Sequence, residues 1–454
     1  MSRWTGETVA RALGLAPPPR CAFRAVSTDT RTVRPGDLFV ALAGERFDGH
    51  AFLGAARAAG ADGAVVRAGT PPVEGLVLFP VPDTLWALGR LGRARRREVS
   101  GPVIAVTGTN GKTSTKELLA RALGTRWRVH ATRGNLNNEV GVPLTLLATP
   151  EDAEALVVEA GASEPGEIAR LRDVIAPSAG VVTNVSAGHL QGFGGLEGVL
   201  EEKVSLLAGV PLAVVGTEPP ALVERARDAA GRALSAGLGT EAEVRPERWR
   251  LDGAGRAELE FRGVTVRLPL AGRHQADNAM LALALAETLG LDLAAVATAL
   301  GAVTLPPGRW EVHASAGRTV IHDAYNANPA SMLAALATVA GLLRGRPLVL
   351  AVGSMLELGA ASAAEHARVA EAMLRLEPAL LGAVGEFGPV LDRHRGRLGD
   401  RLVLAPDAEA LGRALAPRIP DQAVILIKGS RGMRLERALP FLLPAGEGPC
   451  STTS

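Results

Sequence analysis

Six consecutive residues, Gly108, Thr109, Asn110, Gly111, Lys112 and Thr113, have the chemistry to hold a polyphosphate. Glycines at 108 and 111 let backbone amides turn toward phosphate oxygens. Lys112 brings a compact positive charge to the terminal phosphates, and Thr113, followed by Ser114, offers a hydroxyl to Mg2+. The spacing departs from the strict Walker pattern, because Val106 stands where the first glycine belongs, so this is a shorter variant loop. The chain holds only three other lysines, Lys116, Lys203 and Lys428, among 49 basic residues, which leaves 45 as arginine. Lysine kept in so arginine-rich a chain points to chemistry that guanidinium cannot perform: a point charge on phosphate, or an amine that loses its proton and is modified. Lys116 is read instead as an ordinary surface lysine. Two further groups suit a metal. Mg2+ prefers oxygen ligands, so Glu159 is the natural one, and His189, which follows Asn184, is the less usual one. Taken singly each has a plain alternative, since an acid at a strand end caps helices and a lone histidine is commonly structural.

These groups need elements to hold them. The apolar run VIAVT, at 103–107, reads as a strand that enters the loop, and STKELLARALG reads as the helix that leaves it, with Gly124 placed to close its end. The helix N-terminus adds its dipole to the phosphate site. Strand candidates at 103–107, 155–160 and 180–185 alternate with helices, which predicts a parallel sheet with crossover connections. LVVEAGA then delivers Glu159 near the carboxyl end of a strand, where open α/β sheets place their ligands. Between about 241 and 268, short alternating runs separated by glycine turns predict an antiparallel patch, so the core reads as a mixed sheet. Upstream, GDLFVAL, a helix near 51–60, GAVV and LVLFP form a small α/β unit. Downstream of Pro306, VIHDAY, PLVLAVG, LLGAVGE, RLVLAP and AVILIKG resume the alternation. The expectation is three α/β domains at 1–81, 82–305 and 306–454: a small amino-terminal unit, a central P-loop mononucleotide-binding domain and a Rossmann-like carboxy-terminal domain. The tail GEGPCSTTS reads as frayed.

Composition excludes more than it selects. A formal charge of +2 across 454 residues advertises neither a nucleic acid nor an anionic membrane as partner. Cys21 and Cys450 sit near opposite ends and form no disulfide framework, which fits a reducing cytoplasm. The first residues lack the pattern of a secretory signal, and the apolar helices are interrupted by charge before reaching membrane length. A cytoplasmic protein without a transmembrane segment is expected, acting as a monomer.

Over nearly its whole length the chain resembles the Mur ligases. The resemblance rests on STDTR with RPGDLFVALAGERFDGHAF, on TGTNGKTSTKELLA, RGNLNNEVGVPLTLL, EAGASEPGEI and TNVSAGHLQGFG, and on GRHQADNAMLA, PPGRWE, DAYNANPASM, SMLELG and KGSRGMRLE. It is nearest to the branch that adds D-alanyl-D-alanine to a UDP-N-acetylmuramoyl-tripeptide. It implies that ATP phosphorylates the peptide carboxylate and that the dipeptide amine attacks the resulting acyl phosphate. By the same resemblance Thr113, Glu159 and His189 serve Mg2+, and Lys203 stands where related ligases carry a carbamate, although EEKVSLL departs from the usual Gly-Glu after that lysine. His274 and Asn278 would lie along the nucleotide, with Gln275 in place of a familiar asparagine. Arg309 would reach the terminal phosphate, and Asp323, preceded here by His322 rather than a second acid, would reach the ribose. Tyr325, the chain's only tyrosine, Asn326 and Asn328 complete that segment. Thr28, Thr30, Arg31, Glu45, Arg46 and Phe47 would face the uridine diphosphate, Asn135 and Asn138 would orient the peptide carboxylate, and Lys428, Ser430 and Arg431 would receive the dipeptide or close on phosphate.

Each motif keeps a plainer reading. DAYNANPASM also suits an asparagine helix cap, and the STDTR residues also build surface turns. A buried Lys428 demands an anion partner, which favours a ligand. The rival functions are a sibling ligase that adds the third residue, for which no Asp-Asn-Pro-Arg segment is found; a folate polyglutamate synthase, which the roughly hundred residues ahead of the loop disfavour; and, from another class, a kinase or nucleotide-gated binding protein.

Overall fold

The computed structural model describes residues 4–443 other than Pro19, Glu45, Arg46, Gly188, His189 and Ala316. The expectations for Glu45, Arg46, His189, Cys450 and the tail therefore lie outside the described residues. By internal packing the chain forms two compact units, one from 1–105, 127–162 and 166–179, the other from 106–126, 163–165 and 180–454.

The first unit opens on a parallel sheet in the order Val26–Ser27, Leu38–Val40, Gly63–Arg67, Val77–Val81. Successive side chains on a strand point to opposite faces, so this sheet feeds two cores. Leu38 and Val40 pack with Val9, Phe23, Leu88 and Leu91, while Phe39 and Ala41 pack with Leu53, Ala56 and Val66. Phe23 meets Phe79 edge to face at 5.8 Å, a geometry worth about 1 kcal/mol beyond the area it buries. The flanking helices are set by their caps. Thr5 and Thr8 form a reciprocal capping box at Gly6–Leu13, and Gly14 ends that helix at φ 70°; the Asp83 carboxylate accepts from the amides of Leu85 and Trp86 to start Thr84–Arg96.

The central sheet has six strands in the order Val129–Ala131, Ala155–Glu159, Val103–Thr107, Ala179–Val182, Leu212–Val215, Arg232–Ser235. Its outer pairs are parallel. The alternating segment forms a three-stranded antiparallel sheet of its own, Arg248–Leu251, Arg256–Phe261 and Val264–Ala271, with Ala257, Leu259 and Phe261 turned inward. Arg262 and Gly263 make the hairpin at φ 51° and 78°, the left-handed pair that a tight turn with matching twist requires.

A second six-stranded sheet runs Glu311–Ser315, Arg318–His322, Val424–Lys428, Leu348–Val352, Leu380–Val384, Leu402–Ala405, antiparallel only in its first pair. Its last strand in sequence inserts between two earlier ones. That order sets the carboxyl ends of Arg318–His322 and Val424–Lys428 side by side, with His322 opposite Ile427 and the Asp323 amide on the Ile427 carbonyl at 2.9 Å. Such a crossover point is where open α/β sheets bind ligands.

Two local expectations need correction. Lys116 is buried at 2% exposure, because the helix Lys112–Leu123 packs against both Arg273–Thr288 and Leu293–Gly301; its ammonium pairs with Glu117 at 2.6 Å. Gly124 does follow the last helical residue, but at φ −62°, so the helix ends without the left-handed turn for which glycine is needed.

Candidate nucleotide and substrate site

Loop 108–111 leaves the strand Val103–Thr107 with Gly108 at φ 139° and Gly111 at φ 79°. Neither position has room for a side chain: a Cβ on Gly108 would lie 2.0 Å from Thr183 Oγ1, and one on Gly111 2.4 Å from Asn278 Oδ1. The loop is tied down from the next strand's end. Asn184 accepts from the Thr109 amide through its carbonyl at 2.9 Å and from the Asn110 amide through Oδ1 at 3.2 Å, while Thr183 Oγ1 and Asn184 Nδ2 both donate to the Asn110 carbonyl. Ser186 donates its amide to Thr109 Oγ1, and its hydroxyl accepts from Asn110 Nδ2 at 3.0 Å. Lys112 Nζ donates to the carbonyls of Gly108 at 2.8 Å and Thr109 at 3.2 Å, so the ammonium lies over the loop. Thr113 and Ser114 are buried on the first turn of the following helix. A preformed loop of amides with a lysine across it is an anion cradle.

In the same unit, Asn278 is buried on the helix Arg273–Thr288 and donates to Gln275 Oε1 at 3.2 Å. The substituted Gln275 thus holds Asn278 against Gly111. His274 folds back over Gly272, and burial pushes its imidazole down to about 4, with Asp323 opposing the shift and Lys428 adding to it. Asp323 follows its strand and accepts from Lys428 Nζ at 2.7 Å and from the Trp310 amide at 3.2 Å. Lys428 also donates to the Asn326 carbonyl at 3.2 Å. The anion partner that its burial demands is therefore Asp323, and burial alone no longer argues for a bound ligand at this lysine. Ser430 is likewise engaged, donating to the Ala327 carbonyl and accepting from the Leu356 amide.

Two guanidinium groups approach the Tyr325 ring, Arg309 at 3.9 Å and Arg431 at 5.9 Å from its centre. Arg309 Nε is buried without a hydrogen-bond partner, which leaves it available to an anion. Asn326 is exposed. Asn328 does cap a helix, Pro329–Leu342, with Oδ1 on the Ser331 amide, but its Nδ2 donates to Asn110 Oδ1 of the phosphate loop at 2.7 Å. Lys203 is buried at 2% exposure on Leu196–Val204, its ammonium 5.3 Å from the Phe193 ring centre.

In the other unit, Glu159 is buried at 2% exposure and accepts from Asn137 Nδ2 at 2.8 Å. Asn137 is a residue that sequence reasoning missed between its two neighbours. Asn138 Oδ1 accepts from the Gly141 amide at 2.8 Å just ahead of the helix Gly141–Leu147, and Asn135 is exposed. The signal was the run NLNNEV, in which three asparagines compete and only packing selects one. Thr28 and Thr30 are half-buried, while Arg31 is exposed and grips Asp29. Those bonds from Arg31 hold the Asp29 carboxyl down at about 2. Phe47 projects from the hairpin Ala43–Gly44/Phe47–Asp48 at 59% exposure. A cavity of about 840 Å3 is bounded by Trp4, Arg24, Val26, Leu136, Leu144 and Glu151. It borders Leu136, between the predicted Asn135 and the observed Asn137.

Comparison with known proteins places the chain in a family. Three family models match in order: the Mur ligase family catalytic domain over 22–95, the Mur ligase middle domain over 106–286 and the Mur ligase glutamate ligase domain over 308–431. The UDP-N-acetylmuramoyl-tripeptide–D-alanyl-D-alanine ligase of Bacillus subtilis is 34% identical over 438 residues, covering 94% of each chain. A crystal structure of MurF from Acinetobacter baumannii superposes with a TM-score of 0.86 at 30% identity, covering 97% of this chain and 98% of the other. MurF ligase from Thermotoga maritima in complex with ADP gives a TM-score of 0.81 at 29% identity over 92% and 96%. With Mur ligase models matching 22–95, 106–286 and 308–431 in order, and a relative 34% identical over 94% of its length, the chain belongs to the Mur ligase family.

Proposed function

We propose that the protein joins D-alanyl-D-alanine to UDP-N-acetylmuramoyl-tripeptide at the expense of ATP, forming the pentapeptide precursor of peptidoglycan. The observation that carries this reading is the phosphate loop, held by Thr183, Asn184 and Asn328, in a chain that matches a ligase of that name over 94% of its length. A carboxylate resists amines until one oxygen becomes a leaving group. The γ-phosphoryl group passes from ATP to a peptide carboxylate oxygen and ADP departs; the dipeptide amine then attacks the acyl carbon, loses a proton and expels phosphate. Phosphoryl transfer needs positioning and positive charge, the role assigned to Lys112 and Arg309.

Mg2+ would be held by Thr113, Glu159 and His189, and it supplies charge neutralisation on the phosphates. The fit rests on Glu159, whose buried carboxylate has one oxygen fixed by Asn137 Nδ2 and is an oxygen donor of the kind that ion prefers. Lys203 is the candidate carbamate; its burial beside Phe193 suits an amine kept from water. His274, Asn278, Asp323, Tyr325 and Asn326 are assigned to the nucleotide, Thr28, Thr30, Arg31 and Phe47 to the uridine end, Asn135 and Asn138 to the peptide, and Lys428, Ser430 and Arg431 to the dipeptide. The modules are taken as 1–81, 82–305 and 306–454. No helix among the described residues is long and apolar enough to cross a membrane. The reading takes the enzyme to work in the cytoplasm, where ATP is made, and as a monomer, since no step calls for a second copy. Incubation with ATP, UDP-tripeptide and D-alanyl-D-alanine tests it. Phosphate release that needs both substrates, with a UDP-pentapeptide by mass, is expected; release without the dipeptide and without that product would defeat the reading.

A further inference from the structure

We propose that Glu311, His313 and His322 form a site for one late first-row divalent cation, of the Zn2+ class, distinct from the Mg2+ of phosphoryl transfer. Among the described residues these three are the one set of histidine, cysteine or acidic side chains whose ligand atoms converge, all within 4.8 Å of one another. The backbone dictates the convergence. Glu311 and His313 are two apart on the strand Glu311–Ser315 and so share a face, and the antiparallel register puts Glu311 directly opposite His322.

One of the two contacts to Glu311 is a long hydrogen bond, from His322 Nδ1, and both have the spacing of ligands around one ion. Glu311 Oε1 lies 3.4 Å from His313 Nε2, and Glu311 Oε2 lies 3.3 Å from His322 Nδ1. Ligands placed about 2.0–2.1 Å from a tetrahedral ion stand about 3.4 Å apart from each other. His313 Nε2 is buried and has no hydrogen-bond partner, although the carboxylate is near it. A buried polar nitrogen left in that state costs about 1–3 kcal/mol, and a cation at the centre would take it as a ligand in its neutral, Nδ1-protonated form. The Gly308 amide donates to Glu311 Oε2 at 3.1 Å, steadying the carboxylate from behind. Two imidazoles and one carboxylate select zinc, cobalt or nickel over magnesium and leave a coordination position for water.

The location gives the site a consequence. Glu311 stands two residues after Arg309, and His322 immediately precedes Asp323, so a bound ion would clip together the two segments that carry the nucleotide-facing groups. Chelator-stripped full-length protein titrated with Zn2+ alone provides the test. One equivalent per chain is expected, bound at least about tenfold more tightly than by His313→Gln, with excess Mg2+ unable to displace it. Cobalt loading should give visible ligand-field bands in the wild type that His313→Gln lacks. Should that variant fold poorly by thermal melting, the ring 15N shifts of His313 and His322 in the wild-type protein decide, since both must move on Zn2+ addition. Absence of stoichiometric binding, equal affinity in the folded variant, or unmoved ring nitrogens would overturn the site.

Discussion

Asn328 Nδ2 donates to Asn110 Oδ1 at 2.7 Å, a bond between residues 218 apart that joins the phosphate loop to the N-cap of Pro329–Leu342. Both ends of the Asn328 amide are committed, since its Oδ1 accepts from the Ser331 amide at 2.9 Å. One side chain thus bridges the phosphate loop and the segment that carries Asp323 and Tyr325, and the bond gives the two a route for coupling.

Two substitutions separate the cap from the coupling. Aspartate caps a helix as well as asparagine does, so Asn328→Asp should leave the melting temperature nearly unchanged. It removes the donor, however, and sets an acceptor against Asn110 Oδ1. Asn110 cannot rotate to compensate without giving up the bond from its Nδ2 to Ser186. ATP KM should rise roughly tenfold, the equivalent of one lost hydrogen bond of about 1.4 kcal/mol. Asn328→Ala should lose both, with about 1 kcal/mol of stability as well. Steady-state kinetics beside thermal melts would read this, and an Asp variant with unaltered KM would show the contact to be idle.

The Lys428–Asp323 pair makes a second case. Lys428 is 3% exposed, and its loss would leave the half-buried Asp323 carboxylate held by the Trp310 amide without its cation. Lys428→Met alone should destabilise by about 2–4 kcal/mol, while the double change with Asp323→Asn should recover most of that. Activity should not return in the double variant if Asp323 also meets the ribose. Urea unfolding of the two singles and the double measures the coupling; additive effects would mean that the pair does not support the fold.

How far the sequence foretold this site follows from what kind of force positions each residue. The loop was legible because its requirements are local: positive φ at Gly108 and Gly111, a strand before and a helix after. The strands Ala155–Glu159 and Val424–Lys428 were legible from apolar runs, but Val129–Ala131 and Arg232–Ser235 are short edge strands whose membership depends on neighbours. Asn137 could not be told from Asn135 and Asn138, because only tertiary contact with Glu159 separates them. The burial of Lys116 has no local signal for the same reason, since three helices meet there. Asp29, in the middle of STDTR, fixes Arg31, a pairing that the spacing alone does not specify.

His274 yields a pH prediction. Its imidazole has an ordinary value of 6.5 and is pushed down to about 4, chiefly by burial. Between those values the unfolded chain binds a proton that the folded chain refuses, so stability falls as pH drops through 6.5 toward 4 and is fully present above 6.5. His274→Gln should flatten that part of the stability curve. By NMR the wild-type ring should stay neutral at pH 6, and a ring that titrates near 6.5 would contradict the burial argument.

Lys203 allows a test that separates charge from chemistry. The ammonium lies buried 5.3 Å from the Phe193 ring centre, where an arginine would keep the positive charge and the contact with the aromatic face. Guanidinium cannot take up carbon dioxide as an amine does, so if a carbamate at this position supports the metal, Lys203→Arg and Lys203→Ala should fail alike, each losing more than about a hundredfold in kcat. ADP affinity, which rests on the loop, should shift less than about threefold, within the range expected for a residue outside direct contact. Added acetate or propionate should restore part of the activity of Lys203→Ala, whose cavity can admit a free carboxylate, but none to Lys203→Arg, whose cavity is filled. Full turnover in Lys203→Arg would mean that the position needs only a cation, and the carbamate would have to be abandoned.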